Sequence, residues 1–423
     1  MSTQPFRVFL AVVALAAPLA VVASAPAAAG APAGRLDNPV ITWDVNAQTA
    51  IWDVAAQQPN EQVRSFAMVN GAVYDAVNAI HGVAYQPYLV APPARGDESV
   101  PAAVAAAAHG VLVALFPDQR QRLRAQYDAA LADLPGGTAK QRGIRVGGLA
   151  AAAMVAARQH DGAFGDQQWS TGTEPGRWRP TPPLFLSQGA WTGHMRPFLI
   201  PHAGAFRTPG PPPLTSAAYA RDLNEVKAVG SATSTVRTQD QTEAALWWHD
   251  RRSASWEIKR QLASTQRLDV LHTARFFAMT DLIVADSGVA CFSQKEHWSY
   301  WRPVTAIHLA DDDGNRRTAA DPGWTPLLVT PPFPEYPSGH ACGTGARMSF
   351  YRHFFGRDDI AFSGSSVDSG TTRHFTGFSQ ALTELVGARI WGGVHFRSAD
   401  DDGARLGEAI TRYVVRHHFR PRG

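Results

Sequence analysis

Three short stretches in the last third of the chain hold residues that could grip an anion: Lys295 with Arg302, then Ser338-Gly339-His340, then Arg389 with His395. Together they offer three cations, a hydroxyl, backbone donors and two histidines, a set that suits a highly charged tetrahedral oxyanion such as phosphate or vanadate. One histidine could bond covalently to the central atom while the other moves protons. Taken singly, each residue is ordinary, because a lone Lys or Arg on a helix is usually a solvated face and a lone His is more often structural than catalytic. Their joint order and spacing point to a shared site.

That spacing has physical content. Lys295 and Arg302 are two helical turns apart, which predicts that they point the same way roughly 10 Å apart along one axis, with Pro303 disrupting the helix just past the arginine. Ser338 stands where an N-cap belongs, ahead of a helical run from Ala341 to Phe354, so the following N–H groups are unpaired and attract anions. Gly339 lets the backbone approach such an ion closely. Arg389 and His395 would face apart on an unbroken helix, and Gly392-Gly393 between them predicts a break that turns both into one pocket.

The elements that must position these residues read as helices. Apolar residues recur at helical spacing over Glu61–Ile80, Pro101–Leu115, Asp118–Leu134 and Ala139–His160, and again over Ser216–Lys227, Gln239–Trp248, Ser253–Leu262 and Leu268–Ser287, continuing through Lys295. Alternating Val/Ile/Thr runs are almost absent, and no internal repeat stands out. The expected fold is all-α, two helical bundles with long Pro/Gly-rich loops. Its expected division is an N-terminal helical part over 30–214 and a C-terminal part over 215–423 that carries the site. Residues 165–214 form a Pro, Gly and Trp-rich stretch without helical period, read either as an ordered cover over the site or as a connector packed on the surface.

Lys+Arg of 39 against Asp+Glu of 36 gives nucleic-acid binding little electrostatic support, so a bound anion must be held by a local cluster. Arg7, the apolar run Val8–Val22 and the small residues that follow read as a cleavable export signal over residues 1–29, which predicts a secreted protein. No later stretch reaches the roughly 20 charge-free residues of a bilayer span, so no membrane role is expected. Cys291 and Cys342 exclude a thiolate zinc site and a disulfide framework; a single bridge between them is left open.

The longer contexts sharpen the motifs. Ala274-Arg275-Phe276-Phe277, Tyr300-Trp301-Arg302-Pro303-Val304-Thr305-Ala306-Ile307, Pro332-Phe333-Pro334-Glu335-Tyr336-Pro337 and Gly393-Val394-His395-Phe396-Arg397 resemble the superfamily of type 2 phosphatidic acid phosphatases and vanadium-dependent haloperoxidases, in particular its bacterial and fungal haloperoxidase branch. The resemblance implies that His395 is the axial vanadate ligand, that Lys295, Arg302, Ser338, Gly339 and Arg389 hold the equatorial oxygens, and that His340 is the acid–base residue. It implies that vanadate, without changing oxidation state, activates hydrogen peroxide for attack by halide under the influence of Lys295. The hypohalous-acid-like product then reaches an organic substrate. Asp250, in Leu246-Trp247-Trp248-His249-Asp250, resembles the carboxylate that braces an arginine of the site.

Two readings compete with this one. The phosphatase form of the third motif has Ser before the arginine and Asp four residues after the histidine; here Ala388 and Ala399 stand there, which favours the haloperoxidase branch, although Asp400, Asp401 and Asp402 lie close by. A secreted acid phosphatase with His395 as nucleophile is the alternative, and a non-catalytic anion-binding scaffold the third. Phe292, where fungal chloroperoxidases carry Trp, and Phe333, which resembles the chloroperoxidase-type residue, leave the halide open.

Overall fold

A computed structural model describes residues 38–250 and 255–422; the expected export signal lies outside these. Its helices begin where the sequence supplies caps. Asn38 accepts the Val40 amide at the start of α1 (Pro39–Gln48), a Gln58/Glu61 capping box opens α2 (Pro59–Ile80), and Ser99 caps α3 (Val100–Leu115). α4 (Arg120–Ala132) and α5 (Thr138–Ala157) complete the alanine-rich first half. Beyond the 165–214 stretch come α6 (Ala217–Val229), α7 (Gln239–Trp247), α8 (Ser255–Thr265), α9 (Val270–Trp298) and α10 (Pro303–His308). Then follow α11 (Gly339–Phe355), a small antiparallel hairpin of β1 (Phe362–Ser365) and β2 (Thr372–Phe375), α12 (Phe378–Trp391) and α13 (Arg397–His417). The expected all-α class holds, with that hairpin as the only regular sheet among the described residues.

The axis of the fold is α9. By length and composition it could cross a membrane, although Arg275, Asp281, Asp286 and Lys295 interrupt it with charge as expected, and nearly all of it is buried inside the protein. One buried polar knot ties it to its neighbours. Lys259 on α8 donates to Asp44 on α1 (2.8 Å) and to Asp281 on α9 (2.7 Å), while Asn70 on α2 donates to the same two carboxylates at 2.9 and 2.7 Å. Four helices are thereby registered at one point, and every charge there has a partner, as burial demands.

A second device appears twice. Asp75 on α2 accepts the amides of Tyr88, Leu89 and Val90, and Asp286 on α9 accepts those of Phe198, Leu199 and Ile200. Each carboxylate holds a Pro-aromatic-Leu-branched segment, Pro87-Tyr88-Leu89-Val90 or Pro197-Phe198-Leu199-Ile200. This is a local repeat that the sequence reading missed, since four residues are too few to show as periodicity. Burial raises both carboxyls to about 6, and the accepted amides oppose the rise.

Helices α11 and α13 pack close enough that backbone meets backbone. A Cβ on Gly403 would sit 2.7 Å from the Ser338 carbonyl oxygen, and one on Gly407 would collide with that of Cys342. The contact is completed by the Ser338 amide, which donates to the Ala399 carbonyl (2.9 Å). The start of α11 is therefore fixed against the start of α13.

Replacing Lys259 by Met would leave Asp44 with Arg260 but strip Asp281 of its only ion-pair partner among the described residues. The variant is expected to lose about 3–5 kcal/mol of unfolding free energy, read from urea or guanidinium titration. A loss under about 1 kcal/mol would show that the knot is not a stabilising tie.

Candidate active site

The site residues hang on helix ends. α9 delivers Phe292 and Lys295 in its last turns and is stopped by Ser299, which adopts the left-handed conformation (φ 41°). Arg302 is the N-cap of α10, and Pro303 occupies its first turn. Lys295 and Arg302 are thus not on one helical face as their spacing suggested: the proline starts a helix instead of breaking one, and α9 ends at Ser299 between the two cations. Ser338 is the N-cap of α11 as expected, its hydroxyl accepting the Ala341 amide (3.4 Å). α12 ends at Trp391, and Gly393 takes φ 76° while packing where a Cβ would lie 2.9 Å from Pro326 and closer still to the Gly230 carbonyl. Only glycine serves there. The break between Arg389 and His395 forms where it was expected.

Lys295, Arg302, Ser338, Arg389 and His395 are all buried; Gly339 and His340 are half-buried. The Lys295 ammonium donates to the carbonyls of Pro334 (2.8 Å), Glu335 (3.0 Å) and Pro337 (2.6 Å) and lies 5.1 Å from the Phe333 ring centre. Arg302 donates through Nε to the Phe333 carbonyl (2.9 Å) and through Nη1 to the Val394 carbonyl (2.8 Å) and to Nε2 of His395 (3.2 Å). The other ring nitrogen of His395, Nδ1, is 2.8 Å from Oε1 of Glu335. Arg389 reaches Nδ1 of His249 at 3.5 Å.

Nη2 of Arg302 and both Nε and Nη2 of Arg389 are buried donors with no partner within the protein. Buried guanidinium N–H groups are costly when unmet, so this space asks for an acceptor with several oxygens. Gly339 has room for one nearby: a Cβ on it would meet only Phe292 and Lys295, at 3.7 and 3.8 Å. The opening turn of α11 adds unpaired amides of favourable polarity. A tetrahedral oxyanion fits this donor set, with a histidine nitrogen lone pair at its edge.

Titration behaviour agrees with a cluster of like charges. Burial lowers Lys295 to about 8, with Arg302 adding to the effect; it lowers Arg302 to about 9, with Arg389 adding, and Arg389 to about 10 against the pull of Asp400. Burial, then the surrounding cations, hold His340 and His395 well below the usual imidazole range. Each histidine feels Arg302, Lys295 and Arg389, and His395 feels His340. The seven residues singled out by their motifs are therefore brought together.

Asp250 is placed differently. Its carboxylate accepts the amides of Val367 (2.6 Å) and Asp368 (3.4 Å), bracing the turn after β1. The carboxyl opposite Arg389 is that of Asp400, buried and pushed well above the usual carboxylate range by that burial, with Ser338 and Arg389 opposing. The end of α7 meets Arg389 through His249, and the acidic neighbour of that arginine comes from the first turn of α13 as Asp400 and not from Asp250. Sequence reasoning also missed Glu335, an isolated acid in a Pro and aromatic run, and His249, beside the aspartate it did select. Cys291 and Cys342 are buried free thiols.

The 165–214 stretch lies against this region. The Trp178 amide donates to the Ser299 carbonyl (2.8 Å), the Gly210 amide to the Tyr336 hydroxyl (3.0 Å), and the Thr208 amide to the Gln294 side chain (3.1 Å). Trp169 packs on Phe292 (5.8 Å between ring centres), which packs on Phe333 (5.1 Å). A cleft of about 140 Å³ is bounded by Trp169, Gln188, Gly189 and Trp191. The stretch is thus ordered and packed against residues that flank the site.

Residues 275–422 match the family model of the VCPO second helical-bundle domain, a span that includes every motif from Lys295 to His395. Over 149 residues the chain is 30% identical to the vanadium chloroperoxidase of Curvularia inaequalis, an alignment covering 29% of this chain and 24% of that protein. The chain thus spans about a quarter of the length of this curated relative. Among solved structures it is similar to the first bacterial vanadium-dependent iodoperoxidase, with TM-score 0.78 and 25% identity over 91% of this chain and 98% of that one. It is similar in fold to a holo-type bacterial vanadium-dependent chloroperoxidase, with TM-score 0.69 and 19% identity over 88% and 96% of the two chains.

Because Lys295 loses its charge and Glu335 gains one near pH 8 in the anion-free protein, affinity for a dianion should be full below that pH and decline as pH rises through it. Sulfate, whose own charge is fixed over this range, is the probe. Calorimetric titration between pH 6.5 and 9.5 should show a plateau followed by weakening that approaches about tenfold per pH unit. A flat profile would mean that the ammonium does not contribute.

Proposed function

We propose that this chain, similar over residues 275–422 to the VCPO second helical-bundle domain and in fold to bacterial vanadium-dependent haloperoxidases, is a secreted, vanadate-dependent haloperoxidase. It would use hydrogen peroxide to oxidise a halide to a hypohalous-acid-like agent that halogenates an organic substrate. The observation that carries this reading is the set of unpartnered guanidinium donors of Arg302 and Arg389 gathered around a neutral, lone-pair-bearing nitrogen of His395. Export rests on the residue 1–29 signal reading.

The residues present fit vanadate. His395 would offer Nε2 to the central atom, and Arg302, Arg389, the Ser338 hydroxyl and the amides opening α11 would hold the oxygens. Vanadate, when bound, supplies a redox-inert Lewis-acidic centre at which peroxide becomes a two-electron oxidant. The chain's own residues do the rest. His340, kept neutral by burial and by Arg389, His249, Arg302 and Lys295, is ready to take a proton from an incoming acid and return it to a leaving oxygen. Lys295 is different: all three of its donors go to backbone carbonyls, so its influence on the anion is a nearby positive charge acting across a dry site, where such fields are strong. Phe292 and Phe333 keep the approach apolar.

One observation favours the second reading, a phosphatase. Ala399 removes the aspartate that would orient the histidine in the phosphatase form, yet Glu335 places a carboxylate on the same ring nitrogen at 2.8 Å. The missing aspartate therefore argues less for the haloperoxidase branch than the sequence suggested.

Purified protein loaded with orthovanadate should halogenate monochlorodimedone with peroxide and iodide, bromide or chloride, and His340→Ala should lower kcat by about 100-fold or more. No vanadate-dependent turnover with any halide, alongside efficient hydrolysis of p-nitrophenyl phosphate, would replace the first reading with the second.

A further inference from the structure

We propose that Glu335 is the positioning residue that fixes the tautomer and the orientation of His395, so that the Nε2 lone pair faces the bound oxyanion. The proposal rests on the preceding reading only in what Nε2 meets. The tautomer itself follows from contacts within the chain.

Two contacts decide it. The neighbour of Nε2 is Nη1 of Arg302 at 3.2 Å, and a guanidinium can only donate; Nε2 must therefore be the accepting nitrogen. Nδ1 then carries the proton and donates it to Oε1 of Glu335 at 2.8 Å. The opposite tautomer would set N–H against N–H on one side and a lone pair against a carboxyl oxygen on the other. A histidine with its Nδ1–H held by a carboxylate presents a more basic Nε2 in a fixed direction, the arrangement that metal-binding and nucleophilic histidines use.

Glu335 is built to hold that position. Its Oε1 also accepts the Phe396 amide at 2.9 Å, so one oxygen grips both the ring of His395 and the main chain that follows it. Its own backbone is fixed at both ends: the amide donates to the Tyr300 carbonyl (2.9 Å), and the carbonyl accepts from Lys295 (3.0 Å). The side chain is fully buried, its Oε1 making both contacts while Oε2 has no hydrogen-bond partner within the protein. Nothing on α13 offers His395 a comparable partner: Ala399 bears no acceptor, and both oxygens of Asp400 are without a hydrogen-bond partner.

The test uses the full chain in two variants. Burial raises the Glu335 carboxyl to about 8 against the pull of Arg302, so Glu335→Gln keeps an acceptor oxygen and loses the charge carried above that pH; Glu335→Leu removes the acceptor at similar volume. Long-range 1H–15N spectra of histidine-labelled, anion-free protein, with His395 assigned from its loss in His395→Gln, report the tautomer directly, and orthovanadate titration reports affinity. Wild type and Glu335→Gln should show the Nδ1–H form, whereas Glu335→Leu should show a mixed or reversed tautomer. Orthovanadate affinity should fall about threefold to tenfold in Glu335→Gln and by about 10–100-fold in Glu335→Leu. An unchanged tautomer in folded Glu335→Leu would overturn the proposal. If that variant does not fold, undiminished affinity in Glu335→Gln would overturn it instead. A merely structural role would lower Tm and leave both readouts unmoved. If the wild-type protein shows the tautomer but takes up no orthovanadate, the haloperoxidase reading fails and the role of Glu335 stands.

Discussion

Burying three like charges around one small space is the constraint on which the rest of this structure turns. An ammonium and two guanidinium groups, each fully removed from solvent, repel one another more strongly in a dry interior than they would in water. The fold meets this in part with neutral dipoles: five contacts from Lys295 and Arg302 go to main-chain carbonyls, and carboxyls stand on the flanks at Glu335 and Asp400. What the protein withholds is as informative. The guanidinium edges left without partners are those a doubly charged guest would satisfy, and the same guest would relieve the suppressed basicity of both histidines.

The helical frame exists to hold that arrangement still. Every residue of the cluster sits at a helix terminus or in a short connection, and the connections are clamped by polar contacts that reach across the sequence. Asp286 on α9 grips residues 198–200; Tyr336 reaches Asp402 on α13 (2.6 Å); Arg302 holds the carbonyls of residues 333 and 394. The 165–214 stretch is fastened to the same parts, so the aromatic wall of Phe292, Phe333 and Trp169 is as fixed as the cations behind it.

Much of this was legible in the sequence. Long alanine-rich and apolar runs gave α2, α3, α5 and α9 with ends close to those observed, because helical periodicity over many residues outweighs local noise. Short elements were harder: α1 spans only ten residues, and β1, Phe-Ser-Gly-Ser, carries almost no strand propensity. Within the site, glycine pairs and the N-cap serine announced their geometry. The turn between Lys295 and Arg302 did not, since a serine in the left-handed region has no reliable local sign. Nor could spacing tell which of three consecutive aspartates on α13 turns inward; helix orientation decides that, sending Asp400 to Arg389, Asp402 to Tyr336 and leaving Asp401 half-buried. Glu335 was visible as an acid among prolines and aromatics, but its partner lies sixty residues away, a distance no motif encodes.

The carbonyl cage around Lys295 carries a warning for anyone reading mutants of this site. That side chain is a rivet as well as a charge: it pins the segment from Pro334 to Pro337, which in turn sets Glu335 against the histidine and Ser338 at the mouth of α11. Removing it would slacken the whole segment while deleting the positive potential, so a dead variant at this position says little about electrostatics by itself. An arginine there would preserve the sign of the charge and still spoil the fit, because a flat fork does not match three carbonyls arranged for a tripod.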